Sequence, residues 1–138
     1  MTTMTEPATT APARALRRVL LANAGFSTVT GFVALVAAEP LGEWLGVDQI
    51  WLIRLVGAAL IGFAAFVAWT STTDGELLRR SSALISTGDL VWVAATPVVI
   101  ALGWLSTDGA LTMSVVALAV LAFGIGQLLT RRALSTTP

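Results

Sequence analysis

The chain contains no cysteine, no histidine and no tyrosine, and all eight of its basic residues are arginine. Without cysteine there is no disulfide, no thiolate metal site and no CxxC redox pair. Without histidine the commonest metal and haem ligand is missing, together with the usual general base near neutral pH. No Ser-His-Asp arrangement can form, and no GxSxG elbow is present. Carboxylates, arginines and hydroxyls are what remain for chemistry, so the expectation is a protein that is not an enzyme and holds neither metal nor organic cofactor. Charge is scarce as well: charged residues make up 12% of the chain, the formal net charge is zero, and no run of like charge exceeds an Arg-Arg pair. Nucleic acid therefore finds no electrostatic footing.

What the sequence has in excess is apolar length. Hydrophobic residues make up 56% of the 138 positions, outside the balance of soluble domains. Four apolar runs stand at roughly 16–38, 50–72, 83–105 and 110–130. Each is close to the ~20 residues that cross a hydrocarbon core of ~30 Å. In water, four such runs in so short a chain would leave almost nothing amphipathic to cover them. The expected fold class is all-α, a transmembrane four-helix bundle over residues 14–132. Residues 1–13, polar and proline-containing, are expected to be a disordered tail, with a second short tail at 133–138. The first run is longer than the ~7–15 residues of a signal-peptide core, and removing it would leave an odd number of spans, so it is kept as a helix.

Orientation follows from the arginines. Arg14, Arg17 and Arg18 stand at the start of the first run, Arg79 and Arg80 lie between the second and third, and Arg131 and Arg132 follow the fourth. All three groups fall on one side of a four-span chain. The connections on the other side carry Glu39, Glu43, Asp48 and Asp108 and no basic residue. The positive-inside rule then puts both termini in the cytoplasm of a bacterial cell, with the chain a multi-pass protein of the inner membrane and the lipid bilayer its first partner. The outer connection "EPLGEWLGVDQ" is expected to form a short amphipathic turn, with Trp44 and Trp51 at headgroup level.

One carboxylate interrupts this pattern. Asp89 lies inside "LISTGDLVWVAATPVVIALGW", where a charge facing lipid would cost ~2.5–3.5 kcal/mol on insertion scales. Counting ~1.5 Å per residue from the middle of each span puts Asp89 ~7 Å, Asn23 ~6 Å and Gln127 ~10 Å from the midplane, all on the cytoplasmic side. Three helices thus bring two amides and a carboxylate to one level, with Ser27, Ser86 and Thr87 as nearby hydroxyl donors. Trp92, one turn from Asp89 and too deep for an interface anchor, is expected to line a pocket there. Arg54 lies ~10 Å to the outer side by the same count, too far for Asp89, and is expected to join Glu39 and Glu43 in a charge cluster at the outer face. Arg18, Arg79 and Arg80 are then the basic residues left to face Asp89. Small residues one turn apart at Ser27 and Gly31, Ala58 and Gly62, and Ala122 and Gly126 are expected to allow close helix contact.

The stretch "FSTVTGFVALVAAEPLGEWLGV" followed by "IRLVGAALIGFAAFVAW" resembles the first hairpin of small bacterial four-helix membrane proteins, a group that includes the DoxX-like families. The shared pattern is a glycine-bearing helix, a proline-containing outer turn, Leu-Gly, and Arg-Leu-x-Gly opening the next helix; it covers about the first half of the chain. The Asn23, Asp89, Trp92 and Gln127 set is similar to that of a subgroup with no activity attached. The resemblance implies a fold and a membrane location and no chemistry. Redox partnerships suggested for some DoxX-like proteins do not carry over to a chain without cysteine and histidine.

Two functions fit these residues. One is an accessory or scaffolding subunit, with the polar layer serving assembly with a larger membrane-protein partner. The other is a small proton- or ion-coupled transporter, as a homodimer, with Asp89 as its titrating group.

Overall fold

The computed structural model describes residues 11–135, and every regular element among them is a helix. Helix α1 spans Ala11–Val36, α2 Ala38–Leu45, α3 Ile50–Ser71, α4 Gly75–Ala101 and α5 Thr107–Ser135. All but α2 are long and apolar enough to cross a membrane. The architecture is that of a multi-pass membrane protein, all-α, with a bundle of four long helices.

Its burial pattern is inverted relative to a water-soluble bundle. Leu84, Val91, Leu111 and Leu118 are each more than 60% exposed, while Asn23, Asp89 and Gln127 are at most 4% exposed. An apolar exterior of this extent is stable facing hydrocarbon, and polar side chains turned inward avoid it. Helix α1 packs along α3, α4 along α5, and α1 also meets α5; α3 and α4 touch only sparsely. Two apolar clusters close the ends of the bundle. Leu16, Leu20, Val67, Leu78 and Ile85 form one, at the arginine-bearing end, and Ala34, Ala38 and Ile53 form the other. The polar layer lies between them.

The element boundaries depart from the hydropathy runs where charge or a small helix intervenes. Residues 11–13, expected in the disordered tail, open α1: Pro12 falls in the first turn, where its missing N–H costs nothing, and Ala13 is buried. The rest of that expected tail, 1–10, lies outside the described residues. At the other end α5 continues through residues 133–135, because Leu134 packs against the Leu16 cluster, and 136–138 lie outside the described residues. Helix α4 starts eight residues before the expected 83, since its first two turns are charged. Glu76 pairs there with both Arg79 and Arg80, at i+3 and i+4. It ends at Ala101, before Gly103 turns the chain at φ +70°.

Helix α2 takes the place of the expected outer turn. It stops at Gly46, whose φ of +76° lets Val47 N–H return to the Gly42 carbonyl. Ser106 fastens α2 to the start of α5: its backbone N–H donates to the Leu45 carbonyl at 2.8 Å, and its hydroxyl donates to the Trp44 carbonyl at 2.6 Å. The same hydroxyl accepts from Gly109 N–H at 2.9 Å, capping α5. The Trp44 indole completes the attachment by donating to Thr112 Oγ1 at 2.9 Å.

Close packing of α1 on α3 depends on two glycines. A Cβ on Gly31 would stand 2.8 Å from the Gly57 carbonyl oxygen, and a Cβ on Gly57 would stand 2.8 Å from that of Gly31. The α3 partner of Gly31 is thus Gly57. The expected Ala58 and Gly62 pair makes no close helix contact within the chain among the described residues, since Ala58 is exposed and Gly62 has nothing within 4 Å of a built Cβ. Helical phase explains the difference: one residue along turns the side chain by ~100°, here from the neighbour to the lipid.

Candidate functional site

The centre of the molecule is a hydrogen-bonded chain across three helices. Asn23 on α1 donates from Nδ2 to Asp89 Oδ2 on α4 at 2.9 Å, and Gln127 on α5 donates from Nε2 to the same oxygen at 2.9 Å. Each amide is held from behind. Ser27 donates to Asn23 Oδ1 at 3.3 Å, and Ser86 donates to Gln127 Oε1 at 3.0 Å. Ser86 also lies 2.9 Å from the Ser82 carbonyl one turn back. Since an amide has distinct donor and acceptor ends, these contacts fix which way Asn23 and Gln127 point. The helices are thereby locked in rotation, a clamp built from one carboxylate, two amides and two serines.

The expected Asn23, Asp89 and Gln127 are thus brought together, with Ser27 and Ser86 as their supports. Thr87 does not join them: it is exposed and donates to the Ala83 carbonyl of its own helix. None of the three arginines considered for Asp89 reaches it. Arg79 and Arg80 pair with Glu76, Arg18 is exposed, and among the described residues Asp89 forms no ion pair. A neighbour missed in that reckoning, Arg17, turns away from the layer and bonds to Asp74 and to the Thr73 carbonyl. Spacing along α1 gave no sign of this, because both partners of Arg17 lie in the α3–α4 connection.

Beside the clamp lies a cavity of about 250 Å³ reached by all four long helices. Phe26 of α1, Phe63 of α3, Trp92 of α4 and Val120 of α5 contribute to its walls, and Asp89 and Asn23 are at its polar end. Trp92 lines it as expected of a deep indole. Its Nε1 does not donate to the layer, however; it is buried without a hydrogen-bond partner among the described residues. Trp92 also borders a smaller cavity of about 100 Å³ between α4 and α5. Because both amides meet on Oδ2, Asp89 Oδ1 receives no hydrogen bond from the described residues.

The outer-face cluster is smaller than expected. Arg54 donates to Glu39 at 3.2 Å, with both side chains mostly exposed, whereas Glu43 stands exposed on the next turn of α2 outside the pair. A solvated pair of this kind contributes ~1 kcal/mol at most. Among the described residues no group of three or more acidic, cysteine or histidine side chains is arranged to hold a metal ion. Comparison with models of known families, with curated proteins and with solved structures finds no match to this chain.

Proposed function

We propose that this chain is an accessory or scaffolding subunit of a bacterial cytoplasmic membrane, without catalytic machinery, that packs its apolar exterior against a larger membrane protein. The observation that carries this reading is the clamp. Its amides, serines and one carboxylate oxygen are spent on one another, which sets the rotation of three helices and leaves an ordered apolar surface outside. With the arginine-bearing end in the cytoplasm, α2 and the Arg54–Glu39 pair lie at the outer face. The likeness of the first hairpin to DoxX-like proteins belongs to the same proposal. Native mass spectrometry of the protein released from its own membrane tests it: a second membrane protein at fixed stoichiometry supports the reading, and a chain released alone or only as a homodimer refutes it.

A second reading, proton- or ion-coupled transport on Asp89, is favoured by one observation, the cavity that Asp89 lines. Asp89→Asn separates the two. The Asn carbonyl oxygen can take the place of Oδ2 and accept from both amides, so an assembly role survives the change, whereas coupling to a proton or ion does not.

A further inference from the structure

The cavity holds features that the assembly reading does not use. Its volume of about 250 Å³ exceeds the ~150 Å³ in which an apolar cavity accepts benzene, so it has room for one or two fused rings. Three aromatic side chains from three helices, Phe26, Phe63 and Trp92, contribute walls that carry negative π-faces. At the polar end, Asp89 has one oxygen saturated by two amides and the other without a protein partner among the described residues. Among the described residues no ion pair to Asp89 forms, and Arg17, Arg54, Arg79 and Arg80 are each paired with another carboxylate. A carboxylate with one oxygen unbonded and no ion pair among the described residues, at the end of an aromatic chamber, is complementary to an organic cation with N–H donors.

Residues of both α3 and α4, among them Leu60, Phe63 and Gly88, line the cavity along the seam where these two helices touch only sparsely. A ligand arriving there comes from the hydrocarbon, so it must partition into the membrane. We infer that this cavity is a binding site for a small hydrophobic amine that enters between α3 and α4 and donates its ammonium N–H to Asp89 Oδ1, with its ring system among Phe26, Phe63 and Trp92. This goes beyond the accessory reading and does not depend on it.

The test is isothermal titration of the full chain in phosphatidylcholine nanodiscs, with empty nanodiscs subtracted. The probes are 2-naphthylmethylammonium and its neutral isostere 2-naphthylmethanol. The wild-type chain is expected to bind the ammonium at least tenfold more tightly than the alcohol. In Asp89→Asn the acceptor facing the cavity becomes an amide NH₂, and the preference disappears. Gly88→Leu keeps Asp89 but fills the seam, and it abolishes binding of both probes. A built Cβ at Gly88 meets only Phe63, at 3.8 Å, an ordinary van der Waals contact, so a side chain can start from this position without a clash at Cβ. Equal affinity for the two probes, tighter binding of the alcohol, or an ammonium preference that survives Asp89→Asn overturns the proposal. If Asp89→Asn does not fold, Gly88→Leu decides alone, and undiminished ammonium binding in that variant overturns it.

Discussion

The clamp makes its sharpest quantitative prediction at Gln127. This residue is 0% exposed and holds two contacts, its own donation to Asp89 Oδ2 at 2.9 Å and the acceptance from Ser86 at 3.0 Å. Gln127→Leu removes both while conserving most of the volume. The two losses are unequal. Ser86 retains the Ser82 carbonyl at 2.9 Å as an acceptor, so its hydroxyl is not left bare. Asp89 Oδ2 keeps only Asn23. Hydrogen bonds between helices in a membrane average ~0.6 kcal/mol and reach ~1.7 kcal/mol, and one to a carboxylate belongs toward the upper end. A destabilisation of about 1–2 kcal/mol follows, a five- to thirtyfold shift in the folding equilibrium by the usual conversion of ~1.4 kcal/mol per decade. Reversible unfolding in mixed micelles, followed by tryptophan fluorescence, measures it. In a double-mutant cycle with Asn23→Leu, both changes remove a donor from the same oxygen, so the combined loss departs from the sum of the two. A Gln127→Leu protein as stable as wild type, or a strictly additive cycle, would refute the claim that the three helices are held through Asp89.

The glycines of α1 and α3 give a paired test. Gly57→Ala puts a methyl 2.8 Å from the Gly31 carbonyl oxygen and is expected to cost ~1–3 kcal/mol, whereas Gly62→Ala meets nothing within 4 Å and gains up to ~1 kcal/mol in helix propensity, both read in the same unfolding assay. Ser106→Ala deletes the α5 cap and the bond to the Trp44 carbonyl, so a loss of ~0.5–2 kcal/mol is expected, with faster hydrogen exchange in α2 as the local signature. Topology is directly accessible because the chain has no native cysteine to remove. An impermeant maleimide on intact cells should label Asp48→Cys, and should label Thr72→Cys only after the membrane is opened; the reverse pattern would invert the orientation.

The four long helices and the common level of Asn23, Asp89 and Gln127 were legible because both depend on quantities the chain carries locally, apolar length and rise per residue. That Asn23, Asp89 and Gln127 meet follows from counting alone, given that polar groups avoid lipid. Other features depend on three-dimensional phase. Which of Gly57 and Ala58 faces α1 is a matter of ~100° of rotation, and no periodic apolar stripe marks it in a helix that is hydrophobic all round. The start of α4 was hidden for a different reason: hydropathy sees the spanning part of a helix, not a charged first turn held by Glu76 against Arg79 and Arg80. Arg17 illustrates a third limit, because its partners Asp74 and Thr73 are more than fifty residues away in sequence. Likewise the cavity is a residue of imperfect packing between α3 and α4, and no single segment encodes it.

The choice of aspartate over asparagine at position 89 joins the clamp to the cavity. As a clamp, the residue needs only one oxygen that accepts from two amides, and an asparagine carbonyl provides that. A carboxylate in a span costs ~2.5–3.5 kcal/mol on insertion scales. Both hydrogen bonds at Oδ2 are ones that an asparagine carbonyl would also accept, so helix fixation does not by itself offset that cost. The atom at which the two side chains differ is the one the amides leave alone: an acceptor in aspartate, a donor in asparagine. In this structure that atom belongs to a residue at the wall of a chamber to which all four spanning helices contribute aromatic or aliphatic side chains. The compensation is therefore to be sought at Oδ1 rather than within the clamp. An Asp89→Asn protein that folds like wild type and has lost its preference for an ammonium probe would place it there.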